Sequence, residues 1–167
     1  GVAAHAKIMS LRFLSEEGMG DTAGAINAID CAVKMRAKVL SNSWRVYKSW
    51  SSYFDEKGVE VLFTAIKYAE SKGAIFVNAA GNETVDIDTN KDPIYPSGIV
   101  GLPHLFVVSA TEKGDLMADY SNFGRSHVQV AAPGSDILST TPGNTWSDMS
   151  GTSMATPLVA GVIALGL

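Results

Sequence analysis

The stretch Val59-Glu60-Val61-Leu62-Phe63-Thr64-Ala65-Ile66-Lys67-Tyr68-Ala69-Glu70-Ser71-Lys72-Gly73-Ala74-Ile75-Phe76-Val77-Asn78-Ala79-Ala80 reads in two halves. In the first, over Val59 to Lys72, Leu62, Ile66 and Ala69 share one helical face. Gly73 follows, where a helix commonly ends in a left-handed residue. In the second, Ala74 to Ala80 is almost continuously apolar. A strand with no polar face is one covered on both sides, as in a parallel sheet between helices.

The pattern repeats on either side. Val39 to Trp44 predicts a strand, and Thr22 to Ala37 a helix with Ile26, Ile29 and Val33 at helical spacing. Asp21 or Thr22 is its N-cap, and Lys34, Arg36 and Lys38 lie near its end, where cations suit the dipole. Ala6 to Leu14 alternates and predicts a first strand; Glu16 to Asp21 and Arg45 to Glu56 read as loops. Downstream, Gly81 to Pro103 has no periodicity and reads as a long loop. Leu105 to Thr111 predicts another strand, and Val128 to Ala132 and Ile137 to Thr140 two short ones split by Pro133-Gly134. An apolar helix follows Gly151 and runs to the end of the chain. Alternating strands and helices give an α/β fold with a parallel sheet and right-handed crossovers. Functional groups in such sheets gather at the carboxyl ends of strands, which is where Asn82 stands.

With 167 residues, 46% hydrophobic and 18% charged, the chain is sized for one domain with a real core. A net charge of −4 offers no basic stripe to neutralise phosphates, which argues against a nucleic-acid partner. No apolar run reaches membrane-spanning length. Cys31, the only cysteine, has no internal disulfide partner; its apolar neighbours Ile29, Ala32 and Val33 suggest a buried thiol. No Gly-x-Gly-x-x-Gly or Gly-Lys-Ser/Thr loop supports a nucleotide-binding domain.

Two motifs carry chemistry. In Met149-Ser150-Gly151-Thr152-Ser153-Met154-Ala155-Thr156-Pro157, a serine stands at the mouth of an apolar helix. It is either a simple helix cap or a nucleophile. For a nucleophile, an unpaired N–H and the positive end of the helix would help to hold an oxyanion. Pro157 falls near the helix start, where a missing N–H costs least. Ala155 stands where the Gly-x-Ser-x-Gly elbow requires glycine, so this is not that elbow. In Ala79-Ala80-Gly81-Asn82-Glu83, the asparagine is either a turn residue or an amide donor to a developing oxyanion.

Together the two motifs resemble the nucleophile and oxyanion-hole segments of the subtilisin-like serine proteases, in that family's order. Gly1 to Ile8, Val39 to Trp44 and Ala131-Ala132-Pro133-Gly134 with Asp136-Ile137 and Ser139-Thr140 extend the likeness along nearly the whole chain. The resemblance implies a three-layer fold with a mainly parallel sheet between helices, truncated at both ends, so that residues 1–167 are a partial peptidase domain. By the same resemblance Ser153 is the nucleophile, and Asn82 and the Ser153 N–H are the oxyanion donors. Ser43, Trp44 and Arg45 form one wall of the primary specificity pocket, and Ala79, Ala80 and Gly81 the other. Further implications are a protein or peptide substrate, a monomer and a secreted or secretory-pathway setting. No cofactor is needed for the chemistry, although the family often carries structural calcium.

The same resemblance places the family's catalytic Asp and His upstream of Gly1. His5, His104 and His127 do not match the base, nor Asp21 and Asp30 its acid. The chain alone is therefore expected to be inactive. The alternative is a truncated relative that acts only as a binding module. Leu158 replaces a second, non-catalytic histidine of the family, and Arg45 a glycine; a cation there either favours acidic substrate groups, narrows the cleft or points to solvent. Asp86, Asp88 and Asp92 share one loop but read as solvated surface charge rather than as a calcium site.

Overall fold

The computed structural model describes residues 1–47 and 56–167. Four strands form its central parallel sheet: β1 (Val39–Asn42), β3 (Ile75–Ala79), β5 (Leu105–Thr111) and β6 (Val130–Pro133), side by side in that order. The other strands make two small antiparallel pairs, β2 (Val46–Tyr47) with β4 (Ile94–Tyr95) and β7 (Ile137–Thr141) with β8 (Thr145–Met149). The helices are α1 (Thr22–Lys34), α2 (Glu56–Ser71) and α3 (Thr152–Leu165). No helix among the described residues is long and apolar enough to cross a membrane.

Strand alternation sorts the core into two layers. Phe76, Leu105 and Val107 join Ile29 and Val33 of α1 and Leu62, Ile66 and Ala69 of α2 on one side. Val77, Val108 and Ala110 join Ala155 and Ala160 of α3 on the other. Because β3 is packed on both faces, its sequence is apolar nearly throughout. Leu158 packs against the α3-side cluster, so an apolar side chain is at home there.

Element boundaries follow their caps. Asp21 accepts from the Gly24 N–H at 2.6 Å and starts α1. That helix stops three residues before Ala37, because Arg36 adopts φ 61° and the Ala37 N–H turns back to the Ala32 carbonyl. Gly73 performs the same stop for α2 at φ 79°. Most of the Arg45–Glu56 loop lies outside the described residues, and its start is not loop: Val46 and Tyr47 pair with Tyr95 and Ile94. The β7–β8 hairpin adds a strand that no apolar pattern announced, since β8 is exposed throughout.

Two further sequence expectations fail. Cys31 is exposed, because Ile29, Ala32 and Val33 take the inner face of α1 and the thiol lies between turns on the outer one. Ala6 to Leu14 is not a strand. A strand needs a backbone partner about 4.8 Å away, and among the described residues β1 pairs only with β3. A cavity of about 1140 Å³ is lined by residues of both the 6–14 segment and β1, including Ile8, Ser10, Leu40 and Asn42.

Candidate active site

The carboxyl ends of β1 and β3 and the amino end of α3 meet at one place. β1 delivers Ser43, whose hydroxyl donates to the Ser153 carbonyl at 3.0 Å. Pro157 makes this bond possible. It sits inside α3, where its missing N–H would otherwise have served the carbonyl four residues back, that of Ser153. The loss is thus not merely cheap, as the sequence suggested; Ser43 fills it from another segment.

β3 delivers Gly81 and Asn82, and Thr152 fastens both. Thr152 is fully buried. Its hydroxyl accepts from the Gly81 N–H at 3.1 Å and donates to Asn82 Oδ1 at 2.9 Å. The Thr152 N–H also donates to Asn82 Oδ1, again at 2.9 Å. An N–H can meet only an acceptor, so this pair fixes which end of the carboxamide faces the helix. Asn82 Nδ2 is left on the exposed side. Ser153 is the second residue of α3, and an N–H at that position has no partner within the helix. Gly151, which has no side chain to cap the helix, adopts φ 156° ahead of it. The arrangement presents a hydroxyl, an amide N–H₂ and a backbone N–H together at a helix N-terminus, where a developing negative charge is favoured.

A second buried residue, Asn122, holds the far side of this segment. Its Nδ2 donates to the Ala80 carbonyl at 3.0 Å and to Glu83 Oε2 at 2.6 Å. Its Oδ1 accepts from the N–H groups of Glu83 and Val85, each at 3.0 Å. Gly81 is required between them: at φ 108°, a Cβ there would collide with the Asn122 amide and Glu83 Oε2. Thr152 and Asn122 were not identified as site residues from sequence; Thr152 lay inside the quoted motif, whereas Asn122, in Tyr120-Ser121-Asn122-Phe123, carried no local signal.

The residues assigned to the two pocket walls are placed as follows. Ala79, Ala80 and Gly81 are buried at the end of β3. Trp44 turns its ring edge-on to Phe13, with centroids 5.5 Å apart, and donates from Nε1 to Asn42. Arg45 reaches across to Glu83, with Nη2 2.9 Å from Oε1, and donates from Nε to the Tyr47 hydroxyl at 2.9 Å. Burial and a hydrogen bond to Glu83 push the Tyr47 hydroxyl above its ordinary pKa, against the pull of Arg45.

The histidines lie elsewhere. His104 precedes β5 and His127 precedes β6, at the amino ends of strands, whereas Ser43 and Asn82 follow carboxyl ends. β5 alone spans roughly 23 Å at the usual rise of about 3.3 Å per residue. His5 is exposed in the N-terminal turn. Asp88 is not free surface charge: it accepts from His127 Nδ1 at 2.7 Å and from the Ser126 and His127 N–H groups. The His127 hydrogen bond, and next the Ser126 N–H, hold its carboxyl at about 2. Among the described residues, no three His, Cys, Asp or Glu side chains gather to hold a metal ion.

Comparison with known proteins bears on this geometry. The model of the subtilase family, Peptidase_S8, matches residues 1–167. Thermitase of Thermoactinomyces vulgaris is 38% identical over 165 residues, covering 99% of this chain and 53% of the relative. Subtilisin-like protease 2 of Plasmodium falciparum is 34% identical over 166 residues, 99% of this chain but 12% of the relative. Among solved structures, a cold adapted subtilisin-like serine proteinase aligns with TM-score 0.83 and 34% identity, over 100% of this chain and 55% of the other. The epidermin leader peptide processing serine protease of Staphylococcus aureus aligns with TM-score 0.87 and 25% identity, over 99% and 48%. The chain thus spans about half the length of these proteins, or much less in the Plasmodium case.

Proposed function

The chain belongs to the subtilase family, and on that premise we propose that it is the nucleophile and oxyanion portion of a serine endopeptidase domain. Ser153 Oγ attacks the carbonyl carbon of a peptide bond in a protein or peptide substrate. Its proton passes to a base, and the carbonyl electron pair moves onto oxygen. Asn82 Nδ2 and the Ser153 N–H receive that oxyanion. When it collapses, the C–N bond breaks, the amine leaves with the proton, and an ester to Ser153 remains for water to hydrolyse.

The observation that carries this reading is the clamp on Asn82. Two donors from Thr152 hold its oxygen, which leaves its nitrogen on the exposed side as a preset donor. Preset donors need no reorganisation as charge develops. The base and its acid are taken, by family resemblance, to come from residues outside these 167. The reaction needs no cofactor; any calcium would be structural. A secreted or secretory-pathway location is proposed from the family resemblance alone.

The position of His5, His104 and His127 also favours a second reading, an inactive relative that only binds peptides. Labelling of the full-length protein with a serine-directed fluorophosphonate separates the two. The wild type is expected to be labelled and Ser153→Ala not. Equal labelling of both would refute the nucleophile assignment, and absence of label from the folded wild type would favour the binding module.

A further inference from the structure

Resting on that proteolytic reading, we propose that Asn122 is a positioning residue for the oxyanion donor: it aims Asn82 by gripping both peptide units that flank it. A planar peptide leaves each residue only two soft backbone torsions. The Gly81 carbonyl belongs to the unit before Asn82, and the Asn122 backbone N–H donates to it at 3.0 Å. The Glu83 N–H belongs to the unit after Asn82, and it donates to Asn122 Oδ1 at 3.0 Å. With both planes held, the direction in which the Asn82 side chain leaves the backbone is set. Thr152 then has only the carboxamide itself to orient.

The grip extends beyond these two units. Asn122 Nδ2 donates to the Ala80 carbonyl and to Glu83 Oε2, and Oδ1 also accepts from the Val85 N–H. The side chain is fully buried, with both donors and both acceptor positions filled. It has one orientation, because turning the carboxamide end for end would set its N–H₂ against the N–H groups of Glu83 and Val85.

Asn122 is itself anchored to β5. The buried Ser109 hydroxyl donates to its carbonyl at 2.6 Å. Ser121 Oγ donates to the same carbonyl and accepts from the Ala110 N–H at 2.9 Å. Asn82 is thus tied to the central sheet twice, along β3 and, through Asn122, from β5. Asn122 is buried beyond a substrate's reach, so its effect on the reaction passes through Asn82. Donor alignment counts most where charge has developed on oxygen, in the transition state rather than in the bound substrate. Loosening Asn82 should therefore lower kcat and leave KM alone.

Peptide hydrolysis by the full-length protein tests this in a double-variant cycle. Asn122→Asp keeps the shape and both accepted bonds but loses both donated ones. It is expected to lower kcat on the order of tenfold, less than outright removal of an oxyanion donor, with KM within about twofold of wild type. In an Asn82→Ala background the same change should cost less than about twofold, because the donor it aims is gone. Adding Glu83→Gln to Asn122→Asp supplies an amide donor to the new carboxylate and should recover part of the lost kcat. Urea unfolding reports whether each variant is folded, and the smaller, neutral Asn122→Ser takes the place of the aspartate variant if that one is not. The proposal is overturned if a folded residue-122 variant keeps the wild-type kcat, or if it loses the same factor with and without Asn82. Failure of the proteolytic reading looks different: the wild type itself would neither cleave peptides nor label with a fluorophosphonate.

Discussion

The carboxyl end of the sheet and the edge beside β1 are built by opposite means. At the carboxyl end, segments far apart in sequence are tied by polar groups. Ser43 reaches Ser153, Thr152 holds Gly81 and Asn82, and Asn122 holds Ala80, Glu83 and Val85. At the edge, Ala6 to Leu14 runs without a ladder past a cavity of about 1140 Å³, and Ile8 is 93% exposed. The groups proposed to react are therefore positioned by their own interlocking hydrogen bonds and not by the completeness of the sheet. Substitutions should be costly at the first region and cheap at the second.

The sharpest test of that contrast is Thr152→Val, which keeps the shape and removes the hydroxyl. Gly81 N–H and Asn82 Oδ1 each lose a partner in a buried setting. A loss of about 1–3 kcal/mol in stability is expected in the full-length protein, read by urea unfolding. Fluorophosphonate labelling should slow on the order of tenfold, because Asn82 is then held by the Thr152 N–H alone. Thr152→Ser should restore both. A valine variant that labels at the wild-type rate would show that the clamp is dispensable.

Asp88 predicts a smaller, pH-dependent effect. Its carboxyl, lowered to about 2 in the folded protein against an ordinary 3.8, ties residue 88 to Ser126 and His127. A folded pKa below the unfolded one means stability that is fully present above about pH 4 and lost as pH falls toward 2. Asp88→Asn should lower the melting temperature at neutral pH, and its curve should meet that of the wild type near pH 2. Parallel curves over that range would show that this carboxylate adds nothing.

How far these regions could be read from sequence follows from the range of the forces involved. The four strands of the main sheet and all three helices carry local signals: period, caps, and a run such as Ile75 to Ala79 that only a doubly covered strand tolerates. The paired motifs likewise pointed to Ser153 and Asn82 because each is a short contiguous stretch. What sequence did not disclose was long-range. Asn122 works through partners some forty residues away, and the Arg45–Glu83 bridge spans 38 positions (45 to 83). Ala6 to Leu14 failed in the other direction: its alternation was real, but a strand is defined by its neighbour. Cys31 failed because apolar neighbours in sequence lie on different faces of a helix.

The smallest effect should come from Ile8→Ser. A residue 93% exposed has almost no apolar surface left to lose on unfolding, so stability should change by no more than about 0.5 kcal/mol. A larger loss in the full-length protein would report a covered face at this edge. Alternation over Ala6 to Leu14 is the pattern of a half-buried strand, and a sequence keeps that pattern at no benefit if one face stays in water. A loss above about 1 kcal/mol would mean that Ile8 is covered there and that the edge of β1 is closed by residues outside these 167. The polar interlock at the carboxyl end would then be one of two devices holding the site, with strand pairing at this edge the other.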